Sequence, residues 1–510
     1  MTKAFKKVLI AALLICMVAA LAACGQSFEW GPVEGGDANA VVENNGSLAV
    51  KQGDWLYYIN GHDSTDNITA PSDNYFGKAS VKGSIMKSKI GEDGTLTDTA
   101  VVVPKMFMTS YASGGIYLFG EWIYYVSPTT KTDRDGVVQV DFLEYYRTKI
   151  DGTGTQLITM VEGATVNYVF TPNALIYYNS GTLYKVGYTA SAVDKAATVI
   201  DDNISAVTFH HNDTYDPNAA EGSVKDYVFY TKTSDSEEGN VYGNELYATN
   251  GGEPIKLIDA TTWGKDGAVG DRENQYTISV LSVGDDADGV TLYYTRTAAA
   301  GVDSSARTYG IKFTGAAPSF DKTKEVKLAE SSLSGIIHIG LDNGAAVLSS
   351  NVFTVYKPIA ADGVQVTIDA EDYALSGSAT VLEYDVASDT LYYIVSNNLY
   401  VATGLLAKAN DAAAPMPEAH RVSADAINTS WLVPTIVDGA LYYIDNTYSY
   451  TFRMDIPATF MEDGIDDVSE GKMASGYEES DKTEDGTIPK FMTDADKETY
   501  ITNNPAPEEE

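Results

Sequence analysis

The pattern of apolar and polar positions repeats along most of the chain. The segment Asp54-Trp55-Leu56-Tyr57-Tyr58-Ile59-Asn60 returns as Glu121-Trp122-Ile123-Tyr124-Tyr125-Val126-Ser127. It returns again at Ile176-Tyr177-Tyr178, Val228-Phe229-Tyr230, Leu292-Tyr293-Tyr294, Leu391-Tyr392-Tyr393 and Leu441-Tyr442-Tyr443, with a degenerate copy lacking tyrosine at Ala346-Val347-Leu348. A period in the tens of residues marks a solenoid, a propeller or an array. Each copy keeps the same company. A short apolar strand and a tight turn precede it, Ser47 to Val50 before Gly53-Asp54 and Gly115 to Phe119 before Gly120-Glu121. A strand such as Leu183-Tyr184-Lys185-Val186, Leu246-Tyr247-Ala248 or Leu399-Tyr400-Val401 follows, then an Asp-Gly turn as at Asp93-Gly94 or Asp151-Gly152. A last strand ends the unit, as at Gln156-Leu157-Ile158 and Lys256-Leu257-Ile258. Four short strands joined by hairpin turns, repeated, make a propeller blade.

Strand alternation sharpens this reading. Trp55, Tyr57 and Ile59 fall on one face and Leu56 and Tyr58 on the other. Both faces are apolar, so the strand must be covered on both sides, as a blade between two neighbours is. Tyrosine suits the position because its ring buries well while its hydroxyl reaches towards the blade edge. From Asn39 to Asp455 the repeat covers roughly 417 residues, about 52 per blade for eight blades and about 60 for seven, against ~40–45 in compact propellers. The expected fold is therefore all-β, a β-propeller of about eight (alternatively seven) four-stranded blades over residues 39–459. The last unit shows strands at Trp431 to Val437, Leu441 to Ile444 and Tyr448 to Met454, but no clear fourth. Asn39-Ala40-Val41-Val42 is expected to supply that strand and close the ring.

The flanks read differently. From Gly25 to about Gly46 the sequence is rich in Gly, Asn and Glu with little periodicity, and residues 24–38 are expected to form a spacer. Residues 460–510 turn acidic and rich in Gly, Ser and Thr, ending in Pro505-Ala506-Pro507 and three glutamates. Such a segment buries too little apolar surface to repay its ordering entropy, so a largely disordered tail is expected. At the other end, Lys3, Lys6 and Lys7 precede an apolar stretch from Val8 to Ala20, and small residues lead into Leu21-Ala22-Ala23-Cys24. This is the order of a secretory signal peptide, here residues 1–23. The apolar stretch falls short of the ~20 residues a membrane span needs.

The run ending at Cys24 resembles a bacterial lipobox. The resemblance implies that the Cys24 sulfur takes a diacylglyceryl group, and that the mature chain is held by lipid on the extracellular face of the cell membrane. Cys16 leaves with the signal, so the mature protein has no cysteine to spare for a disulfide. A chain of this length can bury enough apolar surface to do without one.

The repeat itself resembles a group of bacterial extracellular lipoproteins, mostly of Gram-positive anaerobes, whose Tyr-Tyr-repeat β-propeller domain has no assigned function. Their Gly-Asp-Trp-Ile-Tyr-Tyr, Leu-Tyr-Lys-Ile and Asp-Gly-x-Gly runs are matched by Gly53 to Tyr58, Leu183 to Val186 and Asp151 to Gly154. The match covers about four-fifths of the chain and is weakest in the fifth and sixth units. It implies a fold and an address, and no reaction.

Charge and motifs narrow the chemistry. The formal net charge is −37, and losing the three leader lysines makes the mature chain more negative still. Nucleic acid and polyanionic wall polymers are repelled by such a field. The sequence holds no Gly-x-Ser-x-Gly elbow, no phosphate-binding glycine loop and no His-Glu-x-x-His. With five histidines an imidazole metal centre is hard to build. His210-His211 reads as a strand end, and His338 as an inner-strand residue with its polar atoms satisfied. Asp285-Asp286-Ala287-Asp288-Gly289 and Asp133-Arg134-Asp135-Gly136 lack the downstream ligands of a calcium loop and read as turns. No catalytic residue, cofactor or metal is expected.

Two functions remain open: a non-catalytic binding or scaffolding propeller for a protein or carbohydrate partner, and an extracellular glycoside hydrolase or lyase using carboxylates in the channel. In a blade, the loop between second and third strands leaves on the same face as the connector to the next blade. The longer insertions fall there, at Gly61 to Lys82, Pro128 to Asp141, Ser234 to Gly243 and Ala298 to Ala306, with Asn212 to Gly222 as an exception on the opposite face. That insertion face, with Tyr75, Phe76 and Tyr242, is the expected binding face.

Overall fold

The computed structural model describes residues 32–62, 80–104, 114–128, 142–162, 167–219, 222–233, 244–259, 276–298, 305–358, 363–369, 379–423, 427–457 and 471–476. These residues form eight antiparallel sheets in chain order, the blades of a β-propeller. Blade 1 holds β1 (Val42–Glu43), β2 (Ala49–Gln52), β3 (Trp55–Ile59), β4 (Ile85–Ile90) and β5 (Leu96–Val103). Blade 2 is β6 (Tyr117–Phe119), β7 (Trp122–Pro128), β8 (Phe142–Lys149) and β9 (Gln156–Glu162). Blade 3 is β10 (Asn167–Phe170), β11 (Ala174–Asn179), β12 (Thr182–Gly187) and β13 (Thr198–Asp201). Blade 4 is β14 (Ile204–Thr208), β15 (Val228–Thr233), β16 (Asn244–Thr249) and β17 (Ile255–Ile258).

Blade 5 is β18 (Tyr276–Asp286), β19 (Gly289–Ala298), β20 (Arg307–Thr314) and β21 (Val326–Ala329). Blade 6, the degenerate unit, is β22 (Ile336–His338), β23 (Ala345–Ser349), β24 (Val352–Tyr356) and β25 (Val364–Thr367). Blade 7 is β26 (Thr380–Asp385), β27 (Thr390–Val395), β28 (Asn398–Thr403) and β29 (Ala419–Arg421). Blade 8 is β30 (Ile427–Asn428), β31 (Thr435–Val437), β32 (Ala440–Asp445), β33 (Thr451–Asp455) and β34 (Lys472–Met473). The α-helix among the described residues is α1 (Leu405–Asn410), and none there is long and apolar enough to cross a membrane.

The Tyr-Tyr repeat explains how blades stack. In β3, Leu56 and Tyr58 join a core with Tyr442 of blade 8, while Tyr57 and Ile59 join another with Ile123 and Tyr125 of blade 2. All four of these β3 side chains are fully buried. Strand β3 is thus apolar on both faces because a blade lies against each. The companion motif has its own reason. Tyr125 pairs with Tyr146, Tyr177 with Tyr184, Tyr230 with Tyr247, Tyr294 with Tyr309 and Tyr393 with Tyr400, each directly across β-strand register. Their rings stack with centroids 5.9, 5.2, 5.4, 6.1 and 5.8 Å apart. Such cross-strand aromatic pairs are each worth roughly 0.5–1.5 kcal/mol beyond the area they bury.

Ring closure differs from the sequence expectation. The fourth strand of blade 8 is β34, which pairs with β33 through Phe452↔Met473 and Arg453↔Lys472. It lies past residue 459, in the stretch read as tail. The Asn39–Val42 segment does not complete blade 8. It leads into β1, which pairs with β2 on the channel side of blade 1. A two-residue strand held by main-chain bonds leaves almost no side-chain pattern, which is why β34 was not visible in the sequence. The seam between blades 8 and 1 is held by Thr451, whose hydroxyl accepts from Gly61 N at 2.9 Å and donates to Ile59 O at 2.5 Å. Asn44 Nδ2 donates to Ile436 O at 3.1 Å, and Lys51 pairs with Asp438 at 2.8 Å.

Candidate functional site

The first strands of the blades surround a central channel, and two segments cross it at one end. Strand β1 lies inside β2, with Val42 opposite Gln52, next to the turn at Gly53. From blade 4, the loop between β14 and β15 meets it from the other side of the ring. Val42 N donates to Tyr215 O at 2.8 Å, Tyr215 N returns a bond to Val42 O at 3.0 Å, and Asn45 N donates to Asp213 O at 2.9 Å. The Tyr215 ring packs edge-on against Phe119 of blade 2. The Asn212 to Gly222 insertion, expected on the face opposite the others, therefore joins β1 in a plug at the end of the channel where first–second strand turns lie.

Above the plug is a cavity of about 930 Å³. Its floor is made by His210, His211, Asp213 and Asp285. Ser47 and Gly115, just before β2 and β6, and Asn167 at the start of β10, with the Trp431 to Pro434 segment between β30 and β31, line it towards the insertion face. The channel is thus a blind pocket opening on that face.

The floor is a set of paired charges. His210 Nε2 lies 3.2 Å from Asp285 Oδ1, Lys225 Nζ 3.7 Å from the same oxygen, and Asp213 N donates to Asp285 Oδ2 at 3.4 Å. Burial works against the Asp285 charge, but the His210 hydrogen bond and the His210 and Lys225 charges outweigh it and hold its pKa below the ordinary value. His211 Nε2 lies 3.1 Å from Asp213 Oδ1. Burial opposes the imidazolium there too, yet the bond to Asp213 and the charges of Asp213 and Asp285 raise the His211 pKa. On the wall, Glu383 is raised by burial and then by Asp385 and Asp213. Neighbouring Asp226 is raised chiefly by burial, with Asp285 adding to it. Among the described residues lining the pocket the carboxylates are Asp213, Asp285 and Glu383, and none is a lysine or arginine.

Gly46 marks how tightly the site is built. Its φ is +82°, and a Cβ there would come 2.7 Å from His211 Cδ2 and 2.9 Å from Tyr117 Cε1. A residue in this left-handed region with imidazole and phenol against it has to be glycine.

The sequence-singled residues fall out as follows. His210 and His211 do stand just past the end of β14, and they also pave the pocket floor, which the sequence did not reveal. His338 ends β22, with Nδ1 2.9 Å from Tyr293 OH and Nε2 3.4 Å from Asp286 Oδ1. Asp286 and Gly289 close a hairpin between β18 and β19, so that acidic run is a turn. Asp133 to Gly136 lie outside the described residues, as do Cys24, Tyr75, Phe76 and Tyr242. The four insertions do join second to third strands of blades 1, 2, 4 and 5. Among the described residues no group of three or more His, Cys, Asp or Glu is placed to hold a metal ion.

No protein-family model matches the chain, and no curated protein matches it. Solved structures similar to it are propellers of low identity. AztD of Citrobacter koseri is 11% identical over 82% of this chain and 93% of its own, with a TM-score of 0.34. Hsv2 of Kluyveromyces lactis is 8% identical over 77% of this chain and 92% of its own, with a TM-score of 0.28. A chain of a yeast heterotrimeric nucleoporin complex is 12% identical over 69% of this chain and 95% of its own, with a TM-score of 0.31. The propeller of this chain is established by its own strand pairing, and its ligand is not read from these neighbours.

Proposed function

We propose that this chain is a lipid-anchored extracellular protein whose propeller is a non-catalytic binding module for a protein or glycan. The observation that carries this reading is the blind channel pocket. A concave site of about 930 Å³ is of the size that encloses a small ligand or a projecting side group of a larger one. Asp213, Asp285 and Glu383 make it favour neutral or cationic groups over anionic ones. Asp213 and Asp285 share the floor, but each is bonded to an imidazole, an arrangement that suits a fixed polar floor better than a free acid–base pair. The insertions of blades 1, 2, 4 and 5 join second to third strands, and Tyr75, Phe76 and Tyr242 belong to two of them in chain order.

The test uses residues 25–510 without lipid as bait against surface proteins and glycans of the producing cell. Replacing Tyr75, Phe76 and Tyr242 by Ala is expected to weaken capture at least tenfold with thermal unfolding unchanged. Capture that survives both this change and Glu383→Lys would refute the assignment of the face. Turnover of a captured glycan, rather than its retention, would favour the hydrolase or lyase reading.

A further inference from the structure

The N-terminal stretch is not a free spacer over its whole length. From Val33 onward it is fastened to the plugged face. Val33 N donates to Asp151 O at 2.8 Å, at the turn between β8 and β9. Lys87, fully buried in β4, sends Nζ to Val33 O at 3.3 Å, Gly35 O at 2.8 Å and Ile150 O at 3.3 Å. The same ammonium sits 5.1 Å over the Trp55 ring. Gly35 lies flat against that ring, where a Cβ would come within 2.1 Å of it. The chain then passes the first–second strand turns, with Ala38 beside Gly120 and Ala40 beside Gly53, and enters the channel as β1. One buried lysine and three carbonyls thus fix the place where the N-terminal segment leaves the propeller. That place is the rim of the plugged face, between blades 1 and 2.

We infer that the plugged face is turned towards the lipid surface, and that the pocket mouth and the insertions are held on the far side. The inference rests on the lipid anchor proposed at Cys24. Residues 25–32 span the gap, a reach of at most ~30 Å at ~3.3–3.6 Å per residue. Letting the opposite face reach the membrane would lift the rim at Val33 by the ~20 Å height of a blade and draw this segment out to about two-thirds of its limit, a loss of chain entropy that the plugged face avoids by lying nearest the lipid. The acidic turns on this face, Asp54, Glu92 and Asp93 among them, are repelled by anionic headgroups. They keep the face about one Debye length (~8 Å) off the surface rather than adhering to it. The partner surface is therefore lipid held at a distance by a short tether, with the binding face presented outward.

The experiment uses the full chain, lipidated in a bacterial host and reconstituted into vesicles of neutral and anionic phospholipid. With Cys24 acylated, a single introduced cysteine can carry a dye. Glu92→Cys labels the β4–β5 turn of blade 1 on the plugged face. Thr447→Cys labels the β32–β33 turn of blade 8 on the other face, and the two differ chiefly in height by roughly the length of a six-residue strand, ~20 Å. Energy transfer to an acceptor-labelled headgroup is expected to be at least twofold higher from position 92, and Lys87→Met is expected to narrow that difference. Equal transfer, or more from position 447, on vesicles that carry the protein overturns the orientation. Failure of the lipid-processed chain to float with vesicles overturns the anchor itself, a separate readout.

Discussion

One buried hydroxyl bonds twice across the seam between the first and last blades, and Thr451→Val tests its share directly. Valine keeps the shape of threonine but removes the group that accepts from Gly61 N and donates to Ile59 O. Thr451 is fully buried, so water does not replace the lost partners. Two hydrogen bonds at about 1–1.5 kcal/mol each predict a loss of about 2–3 kcal/mol. Thr451→Ser keeps both bonds and gives up one methyl group, a loss of about 1 kcal/mol. Urea unfolding followed by tryptophan fluorescence measures both, because Trp55, Trp122 and Trp431 lie in blades 1, 2 and 8. Hydrogen exchange should show the extra opening of the valine variant in blades 1 and 8 first. If serine proves as costly as valine, the seam is held by packing and the hydroxyl argument fails.

Asp286 gives a pH prediction. Burial raises its pKa, but hydrogen bonds from His338 and Thr291 and the charges of His338 and Lys312 outweigh that and hold it at about 2. Because the folded value lies below the ordinary one, its contribution is present above about pH 4 and lost as pH falls towards 2. The stability gap between the parent and Asp286→Asn should therefore shrink over that window in acid unfolding, and a gap constant from pH 6 to pH 2 would contradict the pairing. Gly46→Ala should cost more than ~1 kcal/mol by calorimetry and displace His211 from the pocket floor, seen as a changed imidazole titration in NMR. Cys24→Ser should release the chain from the membrane fraction or leave an uncleaved precursor on immunoblots.

The fold was legible because its repeat is written in side chains. A strand apolar on both faces, seen seven times and in six of them followed by an aromatic across register, cannot be mistaken. Even the tyrosine-free unit at Ala346 keeps its strand, β23. What was not legible is held by the main chain. Strands β1 and β34 are two residues each, and the Val42–Tyr215 pairing joins peptide groups whose sequence neighbours carry no common pattern. The pocket floor was half visible. His210-His211 stood out as a pair, but nothing in the sequence brings Asp285 to His210 or Gly46 to His211, because those contacts cross the ring. Lys87 was equally silent, since a lysine in a strand ordinarily points to water.

The seam also dictates a timetable. Thr451 bonds residues about 390 positions earlier in the chain, and β34 comes later still. During synthesis blade 1 must therefore wait, unsealed on its outer side, until nearly every other blade exists. The waiting is made safer by the plug, since Tyr215 arrives when half the chain is made and can secure β1 well before blade 8 appears. Nucleation in this molecule should then run from blades 1 to 4 as a first cooperative half, with the second half docking onto it last. Long sequence separation slows such docking and prolongs exposure of apolar blade faces, so the late-folding species, with blade 1 uncovered, is where aggregation would begin.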